Sequence, residues 1–454
     1  MQPTHRASPR GPVARMMVLL MALLLVVAAC GGDSTDDTTA TSGSDTTGAP
    51  GDTTAPDDTA DPGSDEPVEL TVWFARDYTF PDEFNSLLEE HNIKVSYDVR
   101  PGDTMLPTML EMREAGEKLP DLIEDDSLTT PAYIQAGLYQ PMTEQVAQFE
   151  AEDPELFETV FPSVWDDGIF DGENWHAAWQ SSYDVIYYNI QYLEEAGIEL
   201  PFTSWWDIYD ACTAIKANHP DMSHCFGTGG TSPDMMFYWL TNFGAPFDGA
   251  VPDLTSPEGV DMIRFMQAMF EGGLMNPAYV IGEQDESQGA WVSGDGAILQ
   301  DGLNAGLDYM AAPGITYGET WATTFAPNHP EGSQMAVPRG WSMVAESEHP
   351  DEVGMVLRYI MDPVNGIPRY LEGSSTPRSS VIINSDEVNE AQPYFTDEIK
   401  EAFTSVSAQI PPATNTLEVG AVLVQLREEV LVIGTDEAPE EVAARFQAEL
   451  DALK

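Results

Sequence analysis

The 454-residue chain carries 77 acidic and 18 basic side chains, which gives it a formal net charge of −59 at pH 7. A surface of this charge repels nucleic acid and anionic lipid, so the composition argues against both as binding partners. The carboxylates also repel one another and destabilise the folded state unless salt screens them, and this predicts a saline habitat.

The chain begins with an apolar segment. Basic residues precede an uncharged run from Met16 to Ala29, which is shorter than a membrane-spanning helix and ends in Val-Ala-Ala. Small residues at this point are typical of a signal-peptide cleavage site. We therefore interpret residues 1–29 as a secretory signal peptide.

Cys30 follows this run directly. The arrangement resembles the bacterial lipobox, in which the cysteine sulfur is acylated and the cysteine becomes the new N-terminus. The resemblance implies that Cys30 is lipidated and that the mature chain is held at the outer face of the cytoplasmic membrane, touching the membrane through the lipid only. The alternative is an ordinary signal peptide whose first mature residue is a cysteine.

Residues 30–67 have the composition of a linker. After the cysteine they consist mostly of Gly, Ser, Thr, Asp, Ala and Pro, which cannot bury enough surface to offset the entropy of folding. Their acidic residues favour an extended chain, and a flexible segment of this length spans on the order of 35 Å. We expect the folded part to begin near Val68.

Residues 68–454 exceed the length at which a single core stops growing, about 250 to 300 residues, so two domains are expected. Two cysteines remain in this part, Cys212 and Cys225. In an oxidising exterior we predict a disulfide between them, and two buried thiols are the alternative.

The first elements alternate between strand and helix patterns. Residues 68–74 and 93–99 have the pattern of strands, residues 84–90 and 105–115 that of helices, and residues 119–123 that of a short buried strand. This alternation predicts an α/β fold with a mainly parallel sheet and helices on both faces.

Further along, two strand patterns at 177–180 and 184–189 flank a short polar break, and Asn189 can cap a following helix. Ser204 and Asp207 have the spacing of a capping box. The remaining patterns predict strands at 297–299 and 340–344 and helices from Pro257 to Gly272, from Pro350 to Met361 and from Thr396 onward.

Several motifs occur in a characteristic order. They are Pro120-Asp121-Leu122-Ile123, residues 136–142, Tyr187-Tyr188-Asn189 with residues 193–198, Ser204-Trp205-Trp206-Asp207, and residues 294–302, 340–344 and 439–443. In this order they resemble landmarks of the family 1 extracellular solute-binding proteins of carbohydrate ABC importers, the group that includes maltose-binding protein. The resemblance covers most of residues 68–454.

The resemblance implies a two-lobe periplasmic-binding-protein-like fold with a hinge and a ligand cleft between the lobes. Residues 68–180 and 335–382 would form lobe 1, and residues 181–334 and 383–454 would form lobe 2. The protein would be a monomeric receptor without catalysis, cofactor or metal. It would capture a sugar or oligosaccharide and deliver it to the permease subunits of an ABC importer.

Cleft residues in such lobes lie in loops at the carboxyl ends of strands. Carboxylates, amides and arginines there suit a polyhydroxylated ligand, and aromatic faces can cover a sugar ring. The residues so indicated are Arg76, Asp77, Tyr78, Asp126, Ser127, Gln180, Ser181, Asp301, Asn304, Arg339, Trp341 and Arg378. For any single acid the alternative is a solvated surface position, and for Trp341 it is a place in the core.

An enzymatic alternative is a secreted lipoprotein glycoside hydrolase. Such enzymes need two suitably placed carboxylates, and Asp125 with Asp126 is one adjacent pair. Acidic residues are so frequent in this chain that adjacent pairs are expected by chance.

Two non-sugar ligands are further alternatives. Arg76, Arg339 and Arg378 could together bind a molecule of the glycerol phosphate type despite the surrounding negative charge. Tyr187 and Tyr188 could suggest a ferric ion, although adjacent side chains on a strand point to opposite faces.

Overall fold

The computed structural model describes residues 66–74, 82–182, 184–228, 234–281, 284–327, 337–371, 378–405 and 415–454. The predicted signal peptide, Cys30 and the linker up to residue 65 lie outside the described residues, and so do Arg76, Asp77 and Tyr78. All described residues belong to one unit of the chain, Ser64–Lys454.

The strands form two main sheets and two short hairpins. In chain order they are β1 Val68–Phe74, β2 Ile93–Val99, β3 Leu122–Asp126, β4 Ile169–Phe170, β5 Glu173–Asn174, β6 Ala177–Ser182, β7 Asp184–Asn189, β8 Phe226–Thr228, β9 Phe247–Asp248, β10 Val251–Pro252, β11 Ile298–Gly302, β12 Trp321–Phe325 and β13 Val337–Met343.

Helices connect these strands and form the C-terminal part of the chain. They are α1 Asp82–Glu90, α2 Gly102–Ala115, α3 Thr130–Gln135, α4 Thr143–Glu152, α5 Pro154–Phe157, α6 Pro162–Asp167, α7 Ile190–Ala196, α8 Trp205–Asn218, α9 Asp234–Phe243, α10 Pro257–Glu271, α11 Pro277–Ile281, α12 Gln284–Val292, α13 Ala305–Ala311, α14 Pro350–Met361, α15 Ile367–Leu371, α16 Ser380–Ile383, α17 Asp386–Ala391, α18 Asp397–Ser405, α19 Thr416–Glu428 and α20 Pro439–Asp451. A 3₁₀ turn occupies Val364–Gly366, and a π-helical segment, Glu429–Ile433, follows α19. Within the described ranges, no helix has both the length and the apolar character that a membrane span requires.

Local capping signals confirm several predicted helix boundaries. The Asn189 side chain accepts a hydrogen bond from the Tyr192 N–H at the start of α7. Ser204 and Asp207 form a reciprocal capping box at the start of α8, which satisfies N–H groups that the first helical turn leaves unpaired. Gly116 adopts a positive φ of 71° after α2 and ends that helix.

The first sheet has the strand order β2-β1-β3-β13-β6. β1 runs parallel to β2 and β3, whereas β13 runs antiparallel to β3 and β6. The second sheet has the order β12-β7-β11-β8, in which β7 is antiparallel to both of its neighbours. Each sheet therefore has one strand that runs against the others, β13 in the first and β7 in the second, and the predicted common direction holds for the remaining strands.

The chain passes between the two sheets at least twice. β6 ends at Ser182 in the first sheet, and β7 begins at Asp184 in the second. The return runs from the end of β12 at Phe325 to the start of β13 at Val337. The predicted lobe boundary between residues 180 and 181 thus falls inside β6, two residues before its end.

Buried apolar clusters lie against each sheet. The first sheet contributes Phe74 and Trp341 to one cluster and Trp73 and Ile123 to another. The second sheet contributes Ile186, Phe226 and Ile298 to its larger cluster and Tyr187, Leu299 and Trp321 to its smaller cluster. Each sheet therefore has its own core.

A disulfide joins Cys212 in α8 to Cys225, which directly precedes β8, with the two Cα atoms 5.4 Å apart. Both residues are fully buried in the larger cluster of the second sheet. The predicted pairing is confirmed. In the chain-entropy model a closed loop of this size stabilises the fold by about 3 kcal/mol.

Candidate functional site

Three of the predicted site residues lie side by side at one edge of the first sheet. Asp126 on β3 pairs in register with Arg339 on β13, and Arg339 pairs with Gln180 on β6. Ser181 follows Gln180 and pairs with Pro338. Because β1, β3 and β6 all run in the same direction, this edge holds their carboxyl ends, which is where the sequence predicted a ligand site.

Arg339 supplies a positive charge at this edge of the first sheet. Its Nη2 lies 3.4 Å from Asp126 Oδ2, and its Nη1 lies 4.0 Å from Glu124 Oε1. The side chains of Arg339 and Asp126 are 19% and 22% exposed, whereas that of Glu124 is 0% exposed. The guanidinium thus lies between one buried and one partly exposed carboxylate, and its remaining surface can be reached by a small molecule.

Asp126 also shapes the turn that follows β3. Its Oδ1 accepts hydrogen bonds from the N–H groups of Leu128 and Thr129, both at 3.1 Å. Ser127, a predicted contact residue, is buried within this turn. One oxygen of Asp126 therefore holds the backbone while the other faces Arg339.

Asp125 points to the opposite face of β3. Its Oδ2 accepts hydrogen bonds from Thr130 Oγ1 at 2.9 Å and from the Tyr139 hydroxyl at 3.1 Å. Burial, and then the nearby charge of Asp126, raise the pKa of the Asp125 carboxyl well above its usual range. Asp125 and Asp126 thus do not face a common substrate position, and this contradicts the paired-carboxylate reading of a hydrolase.

His176 is buried below the same edge. Burial, together with the charge of Arg339, lowers the pKa of His176 to about 3, so the ring is neutral at pH 7. The ring lies against Gly340, where an added Cβ would approach His176 Nε2 to 2.1 Å. Glycine is therefore required beside Arg339 for the imidazole to fit.

The edge of the second sheet at which β7 begins is also polar. Asp184, at the start of β7, pairs in register with Gly302 at the end of β11. Gln300 Nε2 donates to Asp184 Oδ2 at 2.8 Å, and Gln300 Oε1 accepts from Trp239 Nε1 at 2.6 Å. The glutamine amide thus orients the half-buried Asp184 carboxylate.

Asp301 and Asn304 lie at this second edge, as the sequence predicted for ligand contacts. Asp301 is 4% exposed, and its Oδ2 accepts hydrogen bonds from the Tyr309 hydroxyl at 2.6 Å and from Gln288 Nε2 at 2.7 Å. Asn304 is half-buried and precedes α13. The Asp301 carboxylate is therefore engaged by side chains of α12 and α13, and Asn304 is the more accessible of the two.

The two polar edges are close in space because the chain joins them directly. Gln180 and Asp184 are four positions apart in the chain, and consecutive Cα atoms are about 3.8 Å apart, so their Cα atoms lie within about 15 Å of each other. Asp126 and Arg339 on one side and Asp184 on the other therefore border the same region of the molecule.

Trp341 and Arg378 lie inside the protein instead. Trp341 is fully buried and packs edge-on against Phe74, with the ring centroids 5.1 Å apart. Arg378 is 1% exposed, and its Nη2 donates to the carbonyl oxygens of Ile360 and Asp362 at the end of α14. Burial lowers the pKa of Arg378 to about 10. In this arrangement neither side chain presents a surface to a ligand.

Tyr187 and Tyr188 point to opposite faces of β7, into the smaller and the larger cluster respectively. The Tyr187 hydroxyl donates to the carbonyl oxygens of Gly302 and Leu303 at 2.9 and 3.0 Å, and burial raises its pKa well above the usual range. The two phenols cannot share a metal ion in this geometry. In the ranges that the structure describes, no group of His, Cys, Asp and Glu side chains is arranged to hold a metal ion.

Sequence reasoning did not select Glu124, Leu128, Asp184 or Gln300. The sequence did carry a signal for Asp184, because this residue begins the strand pattern that follows the polar break at residues 180–182. For Glu124 and Gln300 none was available, because their partners are distant in sequence.

Comparisons with known proteins agree with this architecture. A family model described as bacterial extracellular solute-binding protein matches residues 74–365. The chain is 24% identical over 278 residues to a protein of Deinococcus radiodurans named "Probable ABC transporter-binding protein". That alignment covers 56% of this chain and 63% of the relative, so the chain spans less than two thirds of that relative's length.

The fold is shared with solved structures of bacterial solute-binding proteins. The ABC substrate-binding protein of Listeria monocytogenes in complex with cycloalternan has a TM-score of 0.70 and 16% identity, covering 85% of this chain and 99% of that one. The solute-binding protein of Agrobacterium radiobacter in complex with ribitol has a TM-score of 0.69 and 16% identity, covering 86% and 99%. The predicted α/β fold of two lobes is confirmed by these likenesses.

Proposed function

Because the chain belongs to the bacterial extracellular solute-binding protein family, we propose that it captures a sugar, an oligosaccharide or a polyol outside the cytoplasm and delivers it to the permease subunits of an ABC importer. The complexes of the Listeria protein with cycloalternan and of the Agrobacterium protein with ribitol support a polyhydroxylated ligand. In this role the protein releases its ligand unchanged.

The row of Asp126, Arg339 and Gln180 is the observation that carries this proposal. A sugar hydroxyl both donates and accepts hydrogen bonds, so it can donate to a carboxylate and accept from a guanidinium at once. Asp126 and Arg339 are partly exposed and held in place by their neighbours, which prepares them for such a ligand. Asp184 and Asn304 would contact the ligand from the second lobe.

Other predicted contacts complete the proposed site. Arg76, Asp77 and Tyr78 follow β1, whose carboxyl end lies at the same edge as the row. Ser181 follows Gln180 on β6. We retain these four residues as proposed contacts of the ligand.

The membrane anchor is also a proposal and rests on sequence. Cleavage after residue 29 and acylation of Cys30 would tether the folded part at the outer face of the cytoplasmic membrane, and residues 31–67 would lift it clear of the lipid. A monomer is sufficient for this role, since one chain provides both lobes of the cleft.

An anionic ligand of the glycerol phosphate type fits the structure less well. Arg339 already lies beside the carboxylates of Glu124 and Asp126, and Arg378 is buried at the end of α14. The net charge of −59 further disfavours an anion.

A thermal-unfolding screen of the purified protein tests the proposed ligand class. Maltose, maltotriose, ribitol and mannitol are the probes, and glycerol 3-phosphate and ferric chloride are the comparators. A ligand at a hundred times its Kd stabilises the folded state by about 2.7 kcal/mol. We expect at least one sugar or polyol to raise the unfolding midpoint and to be recovered intact. The proposal is contradicted if only glycerol 3-phosphate or ferric chloride raises the unfolding midpoint, or if the protein cleaves a glycoside.

Mass spectrometry of the N-terminus tests the anchor. We expect a lipidated Cys30 in membrane fractions, and we expect the Cys30→Ala variant to lose the lipid while its folded part still binds the same ligand. An unmodified Cys30 in the membrane fraction contradicts the anchor and leaves the ligand proposal intact.

A further inference from the structure

The Leu128 side chain packs into the apolar core of the second lobe, although its backbone follows β3 in the first lobe. It follows β3 in the first sheet, yet it belongs to the buried apolar cluster that holds Ile186 and Ala326 of the second lobe, and it is 8% exposed. Its neighbours along the chain, Ile123 and Tyr133, belong instead to a cluster of the first sheet. The Leu128 side chain is therefore an apolar contact between the two lobes.

The backbone of Leu128 is held within the first lobe. The N–H groups of Leu128 and Thr129 both donate to Asp126 Oδ1, and the other oxygen of Asp126 faces Arg339. The same carboxylate thus positions the leucine and takes part in the polar row. Packing of the Leu128 side chain links this turn to the second lobe.

A second apolar contact between the lobes has a different character. Val160, Phe161 and Val164 belong to the smaller cluster of the second sheet. Backbone hydrogen bonds join this segment to residues at the start of α16. The Phe161 N–H donates to the Arg378 carbonyl at 3.0 Å, and the Ser380 N–H donates to the Thr159 carbonyl at 2.8 Å. These backbone hydrogen bonds join two segments that the sequence assigns to lobe 1. The contact of Leu128 with the second lobe is made by side-chain packing.

We infer that Leu128 is a positioning residue that holds the two lobes together beside Asp126 and Arg339 and so slows the release of the bound solute. This inference rests on the proposed function, because a receptor retains its solute only while both lobes contact it. A ligand shifts the lobes toward the closed arrangement only by its difference in affinity for the two arrangements. An apolar contact made in the closed arrangement alone adds to that difference.

A graded series at this position tests the inference. Leu128→Val removes one methylene-sized group and Leu128→Ala removes three, at about 0.8 kcal/mol for each group. We expect the Kd for the sugar or polyol probe that stabilises the parent to rise about fourfold and about fiftyfold, through faster dissociation. The control is Leu193→Ala, because Leu193 is 3% exposed in the same cluster but lies on α7 within the second lobe. We expect Leu193→Ala to have a lower free energy of unfolding than the parent but the same Kd for the probe.

Small-angle scattering of the solute-free protein gives an independent readout. We expect Leu128→Ala to have a larger radius of gyration than the parent, and Leu193→Ala to match the parent. An unchanged radius together with an unchanged Kd overturns the inference. A larger radius in a protein that binds none of the sugars supports the contact and rejects the carbohydrate ligand, so the two failures are distinguishable.

Discussion

Arg339 and Asp126 face each other across β13 and β3, with Arg339 Nη2 3.4 Å from Asp126 Oδ2. The same guanidinium lies 4.0 Å from Glu124, whose side chain is 0% exposed. One cation therefore neutralises a carboxylate that the fold has buried and also orients a carboxylate that solvent can reach. This arrangement connects the stability of the first lobe to the proposed binding site.

Replacing Arg339 should consequently affect both stability and binding. In Arg339→Gln the nearby carboxylates lose their cation, and we expect the free energy of unfolding to fall by about 1 to 3 kcal/mol. Ligand affinity should fall by at least about tenfold, the equivalent of one hydrogen bond to a charged group. Urea unfolding and titration calorimetry measure the two effects.

Arg113→Gln is the matched control for this variant. Arg113 is exposed and its Nη1 donates to the Ala136 carbonyl at 2.8 Å, so its loss should change stability little and affinity not at all. Equal effects of the two substitutions on affinity would rule out a specific role for Arg339.

Two glycines should respond to alanine in opposite directions. At Gly340 a Cβ would lie 2.1 Å from His176 Nε2 and 2.3 Å from the Ala177 carbonyl oxygen, so Gly340→Ala should destabilise the protein by about 1 to 3 kcal/mol or more. At Gly289, in α12, a Cβ would meet no atom within 4 Å. Gly289→Ala should stabilise by about 0.5 to 1 kcal/mol because alanine favours the helix. Thermal unfolding of both variants checks the signs, and a stable Gly340→Ala would show that the imidazole can move aside.

His176 should make stability depend on pH in the acidic range. Its folded pKa of about 3 lies below the value of about 6.5 for an unfolded histidine, so between these values the unfolded chain binds more protons. Stability should therefore fall as pH decreases from about 6.5 toward 3, by up to about 1.4 kcal/mol per pH unit from this group.

Denaturant unfolding at several pH values measures this slope, with His176→Gln compared to the parent and to His91→Gln, whose histidine is exposed. The slope should decrease in the first variant and persist in the second. The same slope in all three proteins would assign the acid sensitivity to other groups.

Salt should stabilise the protein. The few basic side chains bridge acidic ones, as Arg445 does between Glu429 and Glu437, but 77 acidic residues far outnumber 18 basic ones. Raising ionic strength from 0.1 to 1 M shortens the Debye length from about 10 to about 3 Å and weakens this repulsion. We expect the unfolding midpoint to rise by several degrees in sodium chloride and by less in sucrose of equal osmolality. No gain in salt would remove the argument for a saline habitat.

Much of the secondary structure could be predicted from local sequence. β1 and β2 match their alternating patterns. The Asn189 cap and the Ser204–Asp207 capping box set the starts of α7 and α8, and glycines end α2 and α7, because these signals act between residues a few positions apart. β3 is displaced from its prediction. It begins at Leu122, after Pro120, which has no N–H to donate, and it continues through Asp126, which pairs with Arg339.

By itself the sequence determined the family motifs, the two-lobe expectation, the cysteine pair and the order of most elements, since each depends on local pattern or on the chain as a whole. Only the tertiary structure decided which polar residues meet. Asp126 and Arg339 are 213 positions apart. It also placed Asp125 on the face opposite Asp126, buried Trp341 and Arg378, and carried Leu128 into the second lobe. The physical reason is that burial and pairing arise from contacts between distant segments, and a side chain's environment, more than its type, determines whether it binds a ligand or supports the fold.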